Sequence, residues 1–310
     1  MEHSTSNAFE TRYMHWRQGI DYVAGVGKVF VLGCAKSGTT WLADLLDAHP
    51  QIVIRGEGGF AWRLHPILAQ AFQAFNEHQK KMQPIARLRD IDLLLAARAI
   101  IDGQFTRYLA ESNRDPLSIR IIGDKTPQHS VGIPLLNHLY ADARFVHILR
   151  DPRDVATSAW FHFGRNESRS FEQYIEYFIT QAWPINVQSA RRDGTPLSNR
   201  FFELRYEDLR AEPTGLLARL LTFLQVDADD AVIRACVDKA SFERKSGGRP
   251  PGQKDNNSFY RSGTTGDWRN HIPVELAEAC CAKIAPLMKA CGYDPQSTPA
   301  ESLQPLGASS

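Results

Sequence analysis

The hydrophobic pattern along the chain alternates between two kinds of segment. Short apolar runs rich in β-branched residues predict buried strands, because neither face of such a run favours water. Five runs of this kind lie at residues 28–33, Ile52–Ile54, Ile119–Ile122, Phe145–Leu149 and Phe201–Leu204. Longer segments between them carry apolar residues three or four positions apart, which is typical of helices. These segments predict helices at 37–48, 60–78, 89–110, 152–163, 171–191, 213–225 and 273–290.

Strands that alternate with helices predict an α/β fold with a central parallel sheet flanked by helices on both sides. We expect a single domain over residues 28–295, preceded by an N-terminal extension at 1–27 and followed by a flexible tail at 296–310. Turn-forming residues dominate 245–258, and they predict a mobile lid loop there.

Composition and charge narrow the possible partners. The 310 residues include 36 basic and 35 acidic side chains, so no overall field favours nucleic acid or an anionic membrane. The longest apolar segments fall short of the roughly 18 residues that a membrane span needs, and the first residues lack the pattern of a secretory signal. The five cysteines contain no CxxC pair, which favours a reducing compartment. We therefore expect a cytoplasmic protein without a membrane span or a nucleic-acid partner.

The first strand leads into a loop suited to a phosphate or sulfate. Gly33 ends the strand, and Lys36-Ser37-Gly38-Thr39-Thr40-Trp41 leads into the next helix. Backbone N–H groups at a helix N-terminus bind anions, and a lysine adds a full positive charge. A Walker A loop has its lysine after the second glycine, whereas this lysine precedes Ser-Gly-Thr-Thr. The order argues against the alternative of a P-loop kinase.

Four segments in order resemble the PAPS-dependent sulfotransferases, where PAPS is 3′-phosphoadenosine 5′-phosphosulfate. The loop that begins at Lys36 is similar to the 5′-phosphosulfate loop of that family. The second segment, Phe145–Ser158, is similar to its 3′-phosphate segment. The third is Arg205–Leu209, and the fourth, Arg261–His271, resembles the glycine-tryptophan motif near the C-terminus.

The resemblance implies a P-loop-like nucleotide-binding core that takes PAPS as donor and needs no metal ion. The donor-binding residues that it implies are Lys36, Ser37, Gly38, Thr39, Thr40, Trp41, Arg150, Ser158, Tyr206, Phe242, Arg261, Ser262 and Gly263. A guanidinium such as that of Arg150 can hold two phosphate oxygens, although an ion pair with Asp151 is the structural alternative. Ala240 stands where the family usually has a threonine, which removes one expected contact to adenine.

Sulfuryl transfer needs a group that neutralises the leaving phosphate and a base that takes the acceptor proton. The resemblance gives the first role to Lys36. For the base, residues 47–57 resemble the branch that acts on protein tyrosines and carbohydrates, where a glutamate is catalytic, so Glu57 is the first candidate. The alternative is His129, because the small-molecule branch uses a histidine after a Lys-Thr pair. A third possibility is that neither residue is the base.

Lys125 lies in a Gly-Asp-Lys-Thr-Pro segment that resembles the glutamate-using branch, in which the lysine supports the phosphosulfate. An ion pair with Asp124 is the structural alternative. Adjacent residues of a strand face opposite sides of the sheet, which argues against that pair.

A glutamate base favours an alcohol or sugar hydroxyl over a phenol, so we expect a small-molecule, sugar or lipid acceptor. The aromatic residues that either line an acceptor cleft or belong to the core are Phe60, Trp62, Phe72, Phe75, Phe161 and Phe163, with Phe72 and Phe75 assigned to the core. A partial match to the family's dimerisation stretch at residues 269–278 predicts a possible homodimer. The remaining alternative is a binding module that has kept the fold without the chemistry.

Overall fold

The computed structural model describes residues 2–79, 87–250, 253 and 263–296, with only the backbone described for 2–13 and 166. Within these residues five strands form one parallel sheet. They are β1 (Gly27–Gly33), β2 (Ile52–Arg55), β3 (Ile121–Lys125), β4 (Arg144–Leu149) and β5 (Phe201–Arg205). Their spatial order is β2-β3-β1-β4-β5. The predicted α/β fold with a central parallel sheet is therefore confirmed.

Helices flank the sheet. They are α1 (Glu2–Gly25), α2 (Thr39–Asp47), α3 (His65–Gln79), α4 (Asp90–Glu111), α5 (Ile133–Leu139), α6 (Pro152–His162), α7 (Phe171–Tyr177), α8 (Trp183–Gly194), α9 (Tyr206–Ala211), α10 (Pro213–Leu224), α11 (Asp230–Lys239), α12 (Phe242–Lys245), α13 (Val274–Lys283) and α14 (Ala285–Ala290). Two π-helical turns, Phe60–Leu64 and Phe178–Ala182, precede α3 and α8. No helix among the described residues is long and apolar enough to cross a membrane.

Prolines accompany a change in two predicted helices. The helix predicted at 171–191 runs through α7, a π-helical turn and α8 with helical backbone at both junctions, and Pro184 lies in the first turn of α8. The helix predicted at 273–290 becomes α13 and α14, with Pro286 in the first turn of α14. Proline lacks the N–H that a helix interior requires, so it is tolerated in a first turn and interrupts a longer helix.

The side chains of β1 alternate between the two faces of the sheet. Val29 and Val31 pack with apolar residues of α2 and α10, whereas Phe30 and Leu32 pack with those of α4 and α5. All four side chains are fully buried. A strand that buries both faces is typical of a parallel sheet between two helical layers.

The carboxyl ends of the five strands meet at one edge of the sheet. From β1 the chain moves to β2 and β3 on one side and then to β4 and β5 on the other. A ligand crevice forms where the direction reverses, between β1 and β4. The residues that follow the five strand ends include Lys36, Glu57, Thr126, Arg150 and Tyr206.

Candidate active site

A cleft with a volume of about 310 Å³ opens at this edge. Residues from all five strand ends contribute to its walls. The lining residues are Ala35, Lys36, Gly38, Thr39, Thr40, Trp41, Glu57, Pro127, Gln128, Arg150, Ser158, His162, Phe163, Tyr206, Arg210, Phe242 and Gly263. Most of the residues that the sequence singles out for the donor and for the base are in this list, so the fold brings distant segments together.

The loop after β1 is shaped by two residues with left-handed backbone. Lys36 has φ 72° and Gly38 has φ 99°. A Cβ on Gly38 would lie 2.5 Å from the ring of Tyr206, so this position requires glycine for space as well as for its backbone angle. Ser37 between them is 1% exposed, and its hydroxyl has no hydrogen-bond partner among the described residues. A buried hydroxyl of this kind is available to a ligand.

Arg150 follows β4 and spans the crevice. Its guanidinium donates to the carbonyl oxygens of Lys36, at 3.1 Å, and of Thr264, at 3.2 Å. It also lies 4.5 Å from the ring of Tyr206. The Nε atom of Arg150 is buried and has no hydrogen-bond partner within the described chain. Arg150 therefore connects two segments at the rim of the cleft, and its Nε–H remains available to donate to a ligand.

The charge of Arg150 is stabilised by its surroundings. Burial alone would lower the pKa of Arg150, but Tyr206, Asp154 and Glu207 outweigh it, and the pKa is raised. Asp151 does not form the alternative ion pair with Arg150, because its carboxylate binds Arg153 at 2.6 Å. The cleft therefore contains a permanent, buried positive charge.

Aromatic rings form the end of the cleft beside the loop. The indole of Trp41 donates to the carbonyl of Ala240 at 3.0 Å and packs edge to face on Tyr206, with 5.6 Å between ring centroids. A Cβ on Gly263 would lie 2.5 Å from the ring of Phe242. This close approach keeps Gly263 and Phe242 at the same wall, where a flat base can stack.

Glu57 follows β2 and reaches the cleft from the side opposite Arg150. Its carboxylate accepts a hydrogen bond from the ammonium of Lys125 at 2.6 Å. The Glu57 side chain is 49% exposed and that of Lys125 is 12% exposed. Lys125 thus pairs with Glu57 instead of Asp124, as the strand geometry predicts. Among the described residues, Glu57 is the one carboxylate that lines the cleft.

His129, the alternative base, does not line the cleft. Its imidazole is fully buried and binds Asp124 at 2.8 Å through Nε2. The ring packs against Phe60, with 5.8 Å between centroids, and against Phe30. A base must come within hydrogen-bond reach of the acceptor hydroxyl, and the apolar packing around His129 is against that role.

Several lining residues were not predicted from the sequence. Arg210 lies one helical turn after Tyr206 on α9, and its guanidinium is 5.7 Å from the ring of Trp41. His162 lies one turn after Ser158 on α6, and burial, followed by the charge of Lys36, lowers the pKa of its imidazole. Residues four apart on a helix share a face. The four-residue spacing from Ser158 to His162 and from Tyr206 to Arg210 could therefore have indicated both residues in the sequence.

Comparison with known proteins decides the family. A model of the sulfotransferase family matches residues 28–230. The chain belongs to the sulfotransferase family. It is 25% identical over 277 residues to cytosolic sulfotransferase 10 of Arabidopsis thaliana, with 83% of this chain and 77% of the relative covered. The prediction of a PAPS-dependent sulfotransferase, which transfers a sulfuryl group to a hydroxyl acceptor, is confirmed at this level.

Solved structures agree in fold with this sulfotransferase. Mouse sulfotransferase SULT7A1, complexed with PAP, gives a TM-score of 0.53 at 18% identity, with 85% of each chain covered. The sulfotransferase domain of the olefin synthase of Synechococcus PCC 7002 gives a TM-score of 0.50 at 20% identity, with 87% of this chain and 96% of that chain covered.

The aromatic candidates for an acceptor cleft separate in this sulfotransferase. Phe163 lines the cleft and is 45% exposed, whereas Phe60 is fully buried in the core. Phe75 is 42% exposed, and α3 has no buried residue. The assignment of Phe75 to the core was therefore wrong, because α3 lies on the surface and its helical pattern does not face the sheet.

Three predictions for the sulfotransferase fall on residues outside the described part. Arg261 and Ser262 belong to this group, as do half of the positions in the predicted lid at 245–258 and the tail after 296. The homodimer, the cytoplasmic location and the absence of a metal ion also remain predictions.

Proposed function

We propose that this cleft binds PAPS with the sulfuryl group between Lys36 and Glu57, and transfers that group to an alcohol hydroxyl. The observation that carries the proposal is the charge arrangement of one cleft. Lys36, Arg150 and the carboxylate of Glu57 all line the cleft, and in the sheet the strands before Arg150 and Glu57 lie on opposite sides of β1. An anionic donor and a neutral acceptor that must lose a proton require charges of these two signs.

Unused donors at the wall of the cleft and in the loop beside it support the binding of a nucleotide with two phosphate groups. The buried hydroxyl of Ser37 and the Nε atom of Arg150 have no hydrogen-bond partner in the part of the chain that the structure describes. Buried polar groups without a partner cost about 1–3 kcal/mol each, so a bound phosphate oxygen would remove a penalty. Gly38 and Gly263 have positive φ, and the rings of Tyr206 and Phe242 occupy the places where their side chains would lie.

The reaction needs little from the protein beyond alignment and charge. PAPS supplies the sulfuryl group, and its bond from sulfur to the bridging phosphate oxygen breaks as the acceptor oxygen bonds to sulfur. Lys36 neutralises the charge that grows on the leaving phosphate. Glu57 takes the proton of the acceptor hydroxyl, and Lys125 holds the Glu57 carboxylate in place at 2.6 Å.

The half-exposed position of Glu57 supports an acceptor that approaches from solvent. Phe163 is exposed at the same cleft and offers an apolar surface to the carbon skeleton of the acceptor. An alcohol holds its proton more tightly than a phenol does and therefore depends more on a positioned base, although the glutamate-using branch also accepts the phenol of tyrosine. We therefore place the acceptor among small molecules, sugars or lipids that carry an alcohol group.

Glu57→Gln tests the proposal. The amide has the shape of the carboxylate but cannot accept the proton, so we expect kcat for sulfuryl transfer to fall about 10²–10⁴-fold. PAP binding should stay within about twofold of wild type, because Glu57 lies outside the donor side. The measurements are transfer of sulfate from labelled PAPS to a panel of alcohols and calorimetric titration with PAP.

Glu176→Gln is the matched control. Glu176 is a half-exposed carboxylate that binds Lys283 at 2.5 Å on the surface, away from the cleft. This variant should keep wild-type turnover. Full activity of Glu57→Gln, or loss of turnover in both variants, would remove the assignment of Glu57 as the base.

A further inference from the structure

The fold buries a carboxylate directly behind the candidate base. Asp124 is fully buried at the end of β3. Four donors surround it: the N–H of Gly58 at 2.9 Å, the hydroxyl of Tyr108 at 3.1 Å, the hydroxyl of Thr126 at 2.6 Å and Nε2 of His129 at 2.8 Å. A carboxylate accepts about four hydrogen bonds. The accepting capacity of Asp124 is therefore filled.

One of the four donors is the backbone N–H of Gly58, the residue after Glu57. The next amide, that of Gly59, donates to the hydroxyl of Thr126 at 3.2 Å, and that hydroxyl in turn donates to Asp124. The peptide groups immediately after Glu57 are thus fastened, directly and through one side chain, to a single buried carboxylate.

The other side of Glu57 is fixed by contact instead of hydrogen bonds. A Cβ on Gly56 would lie 2.3 Å from the carbonyl oxygen of Lys125, so the two strand ends touch. Arg55 pairs in register with Asp124 across β2 and β3. The residues on both sides of Glu57 are therefore held against residues 124–126.

We propose that Asp124 is a positioning residue that fixes the loop of Glu57 and so aims its carboxylate at the acceptor hydroxyl. The inference rests on the proposed role of Glu57 as base. Asp124 itself does not reach the cleft, because its side chain is fully buried and its oxygens are already occupied. It acts on the reaction through the backbone.

By the same argument, His129 supports the site by orienting Asp124 and does not contact the substrate. Its imidazole packs between Phe30 and Phe60 and donates to the same oxygen of Asp124 as Thr126 does. A buried carboxylate costs more than an apolar side chain of similar size unless its hydrogen bonds are complete. His129 and Tyr108 complete them, so both support the orientation of Asp124.

A second buried carboxylate supplies the control. Asp102 is 4% exposed and accepts from the hydroxyl of Tyr140 at 2.8 Å and from Arg98 at 2.8 Å. It lies near Lys28 at the start of β1, which is the opposite edge of the sheet from the cleft. Asp102→Asn therefore disturbs a similar buried tyrosine–aspartate pair without touching the Glu57 loop.

The main test compares Asp124→Asn with Asp102→Asn. In Asp124→Asn, one carboxylate oxygen is replaced by an NH₂ group, which faces N–H and O–H donors and cannot accept from them. The hydrogen bond from the N–H of Gly58 would therefore weaken. A displacement of about 1 Å at a reacting group can cost about 100-fold in rate. We expect kcat of Asp124→Asn to fall about 10–100-fold with the Kd of PAP unchanged within about twofold. Asp102→Asn should keep kcat within about twofold.

A double-mutant cycle with Glu57→Gln distinguishes this inference from the function on which it rests. If Asp124 acts only through Glu57, Asp124→Asn should cost less than about threefold once Glu57 has been replaced, because residues that act as a unit are not additive. Equal losses in both backgrounds would overturn the positioning role. Wild-type kcat of Asp124→Asn, with Glu57→Gln inactive, would overturn it as well and leave the proposed function standing. A Glu57→Gln variant with wild-type activity would instead show that Glu57 is not the base.

Milder variants keep the test possible if Asp124→Asn does not fold. Tyr108→Phe removes one hydrogen bond to Asp124, and Tyr140→Phe removes the equivalent bond to Asp102. We expect kcat to fall at least about threefold in the first and to stay unchanged in the second. Equal kcat in these two folded variants would overturn the inference.

Discussion

At the scale of single residues, Arg150 connects three separate segments of the chain at the cleft. It donates to two backbone carbonyls that come from different parts of the chain, and it lies over the ring of Tyr206. Its position at a strand end and its role in a phosphate site were predicted from the sequence. The carbonyls of Lys36 and Thr264 were not, since no local pattern pairs residues so far apart.

Arg150→Lys should weaken donor binding because an ammonium cannot hold two oxygens in the way that a planar guanidinium does. We expect the Kd of PAP to rise about 10–100-fold, as measured by calorimetry. AMP lacks the 3′-phosphate, so its Kd should change less. Arg144→Lys, at the far end of β4 where the guanidinium binds Gln225, is the control and should bind PAP normally. An equal loss for PAP and AMP would contradict a 3′-phosphate role for Arg150.

The choice between Glu57 and His129 depends on burial, which the sequence does not carry for a loop residue. Both residues follow strand ends, and both match a branch of the family. The structure separates them, because the imidazole of His129 is closed in by Phe30 and Phe60 while Glu57 faces the cleft. Local pattern finds candidates for a base, and packing between distant segments decides which of them lines the cleft.

At the scale of elements, the strand, loop and helix around Lys36 were predicted closely. The helix predicted at 37–48 is α2, Thr39–Asp47, and its N-cap is Gly38. The glycine looks like an ordinary loop residue in the sequence. Its second constraint, the ring of Tyr206 from the end of β5, appears only in the folded chain.

Gly38→Ala should damage both stability and donor binding. A methyl group at this position meets the Tyr206 ring at 2.5 Å and sits on a backbone with φ 99°. We expect the free energy of unfolding to fall by about 1–3 kcal/mol in urea denaturation. Stabilisation by saturating PAP should fall as well, because the loop amides move. Stabilisation by ligand at about 100 times its Kd is about 2.7 kcal/mol.

Gly25→Ala is the control for that glycine. No atom lies within 4 Å of the added methyl group there, and the residue ends α1. This variant should unfold and bind PAP as the wild type does. A Gly38→Ala protein with wild-type stability and PAP affinity would contradict this prediction, because it would show that the Tyr206 ring can move aside without a loss of free energy.

Five of the described helices were not predicted from the sequence: α1, α5, α9, α11 and α12. The helices α5, α9 and α12 have seven, six and four residues. So few turns give little periodic pattern. The start of α12 is fixed by the Ser241 cap, and α5 has a proline in its first turn. The longer α1 was missed for a different reason, because its residues have no strong apolar face.

At the scale of the whole molecule, the parallel sheet and its helical layers followed from the sequence, but the order of the strands did not. Alternating strands and helices specify parallel pairing. They do not state that β1 lies in the centre between β3 and β4. That order places the loop after β1, with Lys36, beside Arg150 at the cleft. The location of the site is thus a property of topology.

Glu203 on β5 makes the stability of the fold depend on pH. It accepts from His147 of β4 and from Arg191 of α8. Partial burial alone would raise the pKa of Glu203, but the hydrogen bonds from His147 and Arg191 lower it to about 2 from its ordinary value of 4.5. A carboxylate with a lowered pKa in the folded state stabilises the fold above its unfolded pKa.

Glu203→Gln should therefore lower the free energy of unfolding at pH 7 by about 2 kcal/mol. The difference from wild type should shrink as pH falls from about 4.5 toward about 2, because the wild-type carboxylate then takes up its proton as well. Urea denaturation at a series of pH values measures it. Glu243→Gln, at an exposed carboxylate on α12, should show no such trend. A difference that stays constant down to about pH 3 would assign the loss to packing.

The bridge that Arg150 makes between the carbonyls of Lys36 and Thr264 has a consequence for how the protein is made. A chain emerges from the ribosome N-terminus first. The loop at Lys36 and all five strands are available long before residue 264 leaves the exit tunnel. The wall at Gly263 and the second carbonyl for Arg150 arrive only then. Synthesis therefore yields the scaffold first and this wall of the cleft late, so we expect a nascent chain to bind its donor only when the fold is nearly complete.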